Sequence, residues 1–261
     1  MNRIVAIVRD VSDALAECEL SFVERSPIDL ALARRQHAAY VAALEAAGCE
    51  VRAAPPLPTM ADAVFVEDTV VVVDELAVLT RPGAESRRGE VASMAETLRP
   101  LRPLAWIEAP GTIDGGDVLR IGRNVYVGRS ARSNDSGIEQ LRTLLAPHGY
   151  SVEGVRTREC LHLKSAVTAI ADDSVLVNPQ WLVDDPFDQY RRIEIDSTEE
   201  HAANALRVGD AVLYPASFPR TAERLHAAGI DLRVLDVSEL QKAEGATTCC
   251  SVLAPPASRK W

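Results

Sequence analysis

Apolar residues along this chain gather in short runs, and four stretches share one layout: an apolar run, a two-residue polar turn, a second apolar run, then proline or glycine. They are Val70 to Pro82 around Asp74-Glu75, Val118 to Gly128 around Gly122-Arg123, Val167 to Pro179 around Asp172-Asp173, and Arg207 to Pro215 around Gly209-Asp210. Two apolar runs joined by so short a polar turn predict β-hairpins. Counted from Glu75, the turns recur after 48, 50 and 37 residues, at Arg123, Asp173 and Asp210. That is a loose period of supersecondary size.

Between the hairpins, helical spacing and start signals mark Ser86 to Leu98, Asn134 to Pro147 with Asp135 and Ser136 as caps, Ser197 to Leu206, and Pro219 to Gly229. Short β-like runs follow, such as Ala105 to Glu108, Ser151 to Arg156 and Leu232 to Val237. The repeating unit is therefore strand, strand, helix, strand. A strand at Arg3 to Val8, a helix at Ile28 to Ala47 and a strand at Thr248 to Leu253 would supply a fifth unit closed by both chain ends. The layout predicts a closed α/β propeller; an ordinary α/β sandwich with accidentally similar hairpins is the alternative.

Composition narrows the picture. The 261 residues, 47% of them hydrophobic, suffice for one large core and are read as a single domain, 1–261. No apolar run approaches the ~20 residues of a membrane span, so the expectation is a soluble protein without a signal peptide. Five cysteines, at 18, 49, 160, 249 and 250, lack metal-knuckle spacing and suit a reducing cytoplasm. A formal net charge of −10 argues against nucleic acid and is compatible with drawing in a small cation.

The out-of-place polar residues sit where each unit enters its first hairpin strand: Asp62, Glu67 and Asp68; Asp114 before Gly115-Gly116; His162 between leucines; and Cys249 within Thr247-Thr248-Cys249-Cys250-Ser251. In a closed radial fold these entrances converge, which would gather a thiol, an imidazole and carboxylates in one pocket. Each residue alone has a bland reading: a buried thiol, a structural histidine, solvated acids. Cys250 fits the core reading, because adjacent strand residues face opposite sides, and His37, His148, His201 and His226 lack polar companions. Gly115-Gly116 departs from both phosphate-loop patterns and is read as permitting a close backbone approach. Arg87, Arg88 and Arg132 are surface arginines by default, though such forks also suit a substrate carboxylate.

Six segments in order, Asp62-Ala-Val-Phe-Val-Glu67-Asp68, Thr80-Arg-Pro-Gly-Ala-Glu-Ser-Arg87-Arg88, Ile113-Asp114-Gly-Gly-Asp117-Val-Leu, Gly128-Arg-Ser-Ala-Arg132-Ser-Asn134, Leu161-His162-Leu-Lys164-Ser165 and Thr248-Cys249-Cys250-Ser-Val-Leu253, resemble the dimethylarginine dimethylaminohydrolase family of the guanidine-modifying superfamily. The resemblance spans nearly the whole chain. It implies a five-fold pseudosymmetric α/β propeller of ββαβ units and hydrolysis of Nω,Nω-dimethylarginine or Nω-monomethylarginine to citrulline and an amine, without a cofactor. Position by position it implies Cys249 as nucleophile, His162 as general acid-base and Asp114 as the third active-site acid. Asp62 and Asp68, with Glu67 beside them, match the guanidinium-binding carboxylates, and Arg87 and Arg132 the arginines that hold the α-carboxylate.

Two positions depart from the pattern: Asp114 where some bacterial relatives carry Glu, and Glu244, assigned to the substrate's amino end, where Asp is expected. A family lid near Leu20 does not align. A thiol and imidazole at Cys249 and His162 would also suit inhibitory zinc. A homodimer is compatible with the reading. The alternatives are an arginine deiminase-like hydrolase of another guanidine and a non-catalytic methylarginine-binding protein.

Overall fold

The computed structural model describes residues 3–256. It contains five separate three-stranded sheets. They are formed by β15 (Val252–Ala254), β1 (Val5–Val8) and β2 (Glu50–Ala53); β3 (Val70–Val72), β4 (Ala77–Leu79) and β5 (Leu104–Trp106); β6 (Val118–Ile121), β7 (Asn124–Arg129) and β8 (Ser151–Arg156); β9 (Val167–Ala169), β10 (Ser174–Val177) and β11 (Arg191–Glu194); and β12 (Leu206–Val208), β13 (Ala211–Pro215) and β14 (Asp231–Leu235). In each sheet the first strand pairs antiparallel with the central one, which pairs parallel with the third. A parallel step needs a crossover, supplied in four units by helices: α1 (Leu30–Ala46), α2 (Val91–Leu98), α3 (Asp135–Leu145) and α5 (Pro219–Ala227). One-turn helices α4 (Leu163–Ala166) and α6 (Ser238–Gln241) lie in connections.

Why five sheets close on themselves can be read from the alternation of each central strand. Val5 and Ile7 pack in one apolar cluster with Ala77 and Leu79 of β4, while Ala6 and Val8 pack in another with Leu213 of β13. Val78 joins Val125 and Val127 of β7; Tyr126 joins Val175 and Val177 of β10; Leu176 joins Val212 and Tyr214 of β13. Successive side chains point to opposite faces, so every central strand is apolar on both sides and belongs to two neighbouring clusters. Five clusters between five sheets form a ring. The first strand of every sheet faces the pseudo-axis and lines a channel of about 400 Å³ that ends at Glu67, Lys164 and Thr248. The propeller, not the sandwich, is what the chain forms.

Several local expectations are corrected. No helix forms over Ser197 to Leu206. Its acidic start signals serve other partners: the Asp196 carboxylate accepts from Thr198, and Glu199 caps α5, accepting from the backbone N–H groups of Arg220 and Thr221 behind Pro219. The fourth crossover has only a 3₁₀ turn at Pro179–Trp181, and its third strand, β11, was not anticipated. Asn134, rather than Asp135 or Ser136, caps α3 by accepting from Gly137 N–H. The start of the helix expected over Ser86 to Leu98 is instead a 3₁₀ segment, Glu85–Glu90, leading into α2. The last strand begins at Val252, so Cys249 and Cys250 lie in the turn before it and strand alternation is not what separates them.

Candidate active site

At the end of the axis opposite the channel, Asp62, Asp68, Asp114, His162 and Cys249 line one cavity with Glu19, Phe65, Arg87, Arg132, Leu161, Ala243, Glu244 and Gly245. Each reactive group comes from the entrance of a different unit. Asp68 lies in the 3₁₀ turn Val66–Thr69 feeding β3, Asp114 precedes the turn Gly115–Asp117 feeding β6, His162 precedes α4 and β9, and Cys249 precedes β15.

The histidine is clamped between acids. His162 Nε2 lies 3.1 Å from Asp114 Oδ2, and Nδ1 lies 4.0 Å from Asp68 Oδ1. All three side chains are buried. Gly116 permits this closeness: its N–H donates to Asp68 Oδ1 at 2.9 Å, and a Cβ there would stand 2.5 Å from His162 Nδ1. At Gly115 a Cβ would meet the Glu67 carbonyl at 1.9 Å. The close approach expected of the two glycines is thus what they provide. Behind them Asp117, to which the sequence reading gave no role, accepts from Ser130, Ser133 and Leu163 N–H and is fully buried. Its signal was its place in Asp114-Gly-Gly-Asp117.

These neighbours set the charges. Burial alone would lower the His162 pKa, but Asp68, the hydrogen bond to Asp114, and Asp117 outweigh it and hold it at about 9. Burial would raise Asp68, yet His162 and Arg87 hold it down at about 2. Burial raises Asp62 to about 6 despite Arg87. Cys249 is pushed up to about 12 by burial and by the charges of Glu67 and Asp68. The cavity therefore rests with an imidazolium, a carboxylate and a neutral thiol.

Three assigned residues do other work than expected. Glu67 does not line the cavity: its carboxylate pairs with Lys164 and accepts from Thr248 Oγ1 at 2.7 Å, and its N–H donates to the Cys249 carbonyl at 3.2 Å. It supports the cysteine turn from the channel side instead of touching a guanidinium. Arg87 is buried and committed: Nε and Nη2 bond Glu90, Nη2 also reaches the carbonyls of Asp62 and Phe65, and Nη1 pairs with Asp68. Its fork organises the acidic loop and leaves one Nη1 N–H, so Arg132, half-exposed on the rim, is the more available carboxylate partner. Glu244, expected at the substrate's amino end, accepts from the backbone N–H groups of Ser21, at 2.9 and 3.0 Å, Phe22, and Val23 at 2.8 Å.

Glu244 thereby pins residues 19–23 over the site. Glu19 N–H caps Asp62 Oδ2 at 3.2 Å, and the Glu19 carboxylate accepts from Ser86 Oγ at 2.7 Å. Beneath this cover the cavity measures about 20 Å³, far below the ~300 Å³ at which small-molecule sites begin. Among the described residues the donor atoms close enough to share an ion are those of Asp68, Asp114 and His162. Cys249 is not of that set, so nothing here supports the zinc pair expected at Cys249 and His162.

Residues 17–198 match the family model described as N,N dimethylarginine dimethylhydrolase, eukaryotic. The chain is 43% identical over 250 residues to an N(G),N(G)-dimethylarginine dimethylaminohydrolase of Streptomyces coelicolor, covering 95% of each chain. It is 38% identical over 226 residues to the Pseudomonas aeruginosa protein of that name, covering 86% of this chain and 89% of the relative. A solved structure from Pseudomonas aeruginosa, a cysteine-to-serine variant complexed with citrulline, superposes with a TM-score of 0.92 at 35% identity, over 97% of this chain and 99% of that one. A histidine-to-glycine variant of a dimethylarginine dimethylaminohydrolase, carrying an adduct with S-methyl-L-thiocitrulline, also gives 0.92 at 35% identity, over 97% of this chain and 100% of that one. The N-terminal domain of the cyanobacterial arginine dihydrolase ArgZ, 19% identical with a TM-score of 0.85 over 98% of this chain and 100% of that one, shares the fold.

Proposed function

Since the chain belongs to the dimethylarginine dimethylaminohydrolase family, we propose that it hydrolyses Nω,Nω-dimethyl-L-arginine and Nω-monomethyl-L-arginine to L-citrulline, releasing dimethylamine or methylamine. The observation that carries this reading is one covered cavity lined by a thiol, an imidazolium and the acids Asp62, Asp68 and Asp114.

A guanidinium is stabilised by resonance and resists water, so the site must hold the cation and offer a stronger nucleophile. Asp62 and Asp68 supply negative charge, and Arg132, with the remaining N–H of Arg87, takes the α-carboxylate. A guanidinium beside Sγ offsets the carboxylates that keep Cys249 protonated, so binding favours the thiolate. The thiol proton passes to solvent. Sγ then bonds to the guanidinium carbon, His162 gives its proton to the alkylated nitrogen, and the C–N bond breaks, leaving a thiouronium on Cys249. The neutral imidazole next takes one proton from water as the oxygen attacks the same carbon; the C–S bond breaks, the oxygen's second proton passes to solvent, and citrulline and a thiolate remain. Asp114 holds the imidazole through both halves, the reversal expected of one acid-base group. The adduct in the histidine-to-glycine relative supports a nucleophile that acts without the imidazole when the leaving group needs no proton.

The five cysteines are all unpaired thiols, in keeping with the cytoplasmic site expected from the sequence, and no helix among the described residues is long and apolar enough to cross a membrane. The expected homodimer is tested by sedimentation equilibrium. The function is tested by incubating the protein with dimethylarginine, arginine and agmatine and measuring citrulline, or carbamoylputrescine from agmatine, by mass spectrometry. Citrulline from dimethylarginine well above that from arginine is the expected result. Product from arginine alone would make it a deiminase-like hydrolase, and ligand binding without product a binding protein.

A further inference from the structure

Beside the catalytic cavity lies a second one of about 310 Å³. Leu161, Glu244 and Gly245 line both, forming the partition. Its volume reaches the range of small-molecule sites. Trp181 and Phe218 give it aromatic walls, and Phe22, 51% exposed, reaches into it from the cover segment. The carboxylates at its edge are Glu159 and Glu244, and no lysine or arginine lines it. The cations adjacent in sequence to lining residues are turned elsewhere: Arg158 Nε donates to the Gln180 carbonyl, Lys164 pairs with Glu67, and Lys242 Nζ bonds the Pro27 carbonyl and Glu239.

A second observation marks the same place. Among the described residues only Glu159 and Glu244 are non-glycine residues in the left-handed region, each with φ of 57°. Both line this cavity. Such backbone is sparse for residues with a Cβ and gathers at ligand clamps. Here it carries two acidic side chains to one aromatic pocket. Negative charge beside aromatic faces favours a cation with an apolar body, held by cation–π attraction and burial of its alkyl part.

We propose that this cavity is a second, non-catalytic binding site for a small organic monocation, an alkylguanidinium or alkylammonium. Trp181 and Phe218 take its apolar part and Glu159 its charge. The Glu244 carboxylate is already held by the cover segment, so it contributes field rather than a direct contact.

The test is an NMR titration of Cys249→Ser protein saturated with citrulline, so that the catalytic cavity is occupied. The probe is n-butylguanidinium, and the readout is the indole N–H of Trp181. A saturable shift is expected, at least threefold weaker with neutral n-butylurea, at least threefold weaker in Glu159→Gln, and absent in Ser217→Trp, which fills the exposed rim. No saturable shift, equal affinity for the urea, or a shift seen only when citrulline is left out would overturn the proposal. Citrulline binding is followed in the same spectra, so loss of that signal counts against the proposed reaction while the Trp181 shift still reports on the second cavity.

Discussion

Cys249 and Cys250 are adjacent in sequence and opposite in environment. Cys249 is half-buried on the cavity, whereas Cys250 is fully buried in the cluster joining β1 to β13 and donates to the Ala246 carbonyl at 3.6 Å. On the proposed mechanism, that difference singles out Cys249 as the reactive thiol. Cys249→Ser is expected to lower turnover by about a thousandfold or more, because an alcohol is a far weaker nucleophile than a thiolate. Cys250→Ser should keep turnover within about threefold and lower unfolding stability by about 1–2 kcal/mol, from placing a hydroxyl in an apolar cluster. Steady-state rates and urea unfolding of both variants check this, and equal loss of rate in the two would contradict the assignment. That His162 and Asp114 would meet was equally legible: His162 between two leucines and Asp114 before two glycines are polar residues where apolar ones were due, and they lie 3.1 Å apart. The true settings of Glu67 and Arg87 were not legible. Lys164, 97 residues from Glu67, comes to it only once the units close, and Asp68, 19 residues from Arg87, meets it only once its own unit folds.

At the level of elements, the segment over the site is the part the sequence conceals. Residues 19–23 form no regular element; the nearest is the 3₁₀ turn at Leu15–Glu17. No periodicity announces a cover held by side-chain and backbone bonds from distant units. Glu244 holds it across 223 residues of sequence, accepting from three successive N–H groups in the manner of an anion in a backbone nest. Glu244→Ala should therefore raise hydrogen exchange at the amides of Ser21, Phe22 and Val23 by at least about tenfold, leaving the β10 amides unchanged. Unchanged protection at those three amides would show that the cover is held by something else. The missing helix over Ser197 to Leu206 has a related lesson. Asp196 and Glu199 are good helix starters by type, but Glu199 is drawn off to cap α5, and a local signal cannot say which helix it serves.

For the whole molecule, period and alternation carried most of the architecture. Four hairpins and both chain ends gave five units, and central strands apolar on both faces gave the ring. What the pattern left open was which end of the axis reacts. That follows from where the acids and the histidine are buried, with consequences for stability. Folding raises the His162 pKa from the ordinary 6.5 to about 9, so the native state binds this proton more tightly than the unfolded chain. Its stabilisation, on the order of 3 kcal/mol, is complete below the unfolded pKa and disappears as pH rises through the folded one. Unfolding free energy should accordingly fall between pH 6.5 and 9, and the fall should shrink in His162→Gln. An equal slope in both proteins would place the proton elsewhere.

The central claim is a covalent bond between Cys249 and the guanidinium carbon. Rapid acid quench of the protein during turnover of Nω,Nω-dimethylarginine, followed by peptide mass spectrometry, tests it most directly. The peptide holding Cys249 should gain the mass of the substrate less dimethylamine, with the modification on Cys249 and not on Cys250. Citrulline formed with no such adduct at any quench time, or an adduct on Cys250, would contradict it.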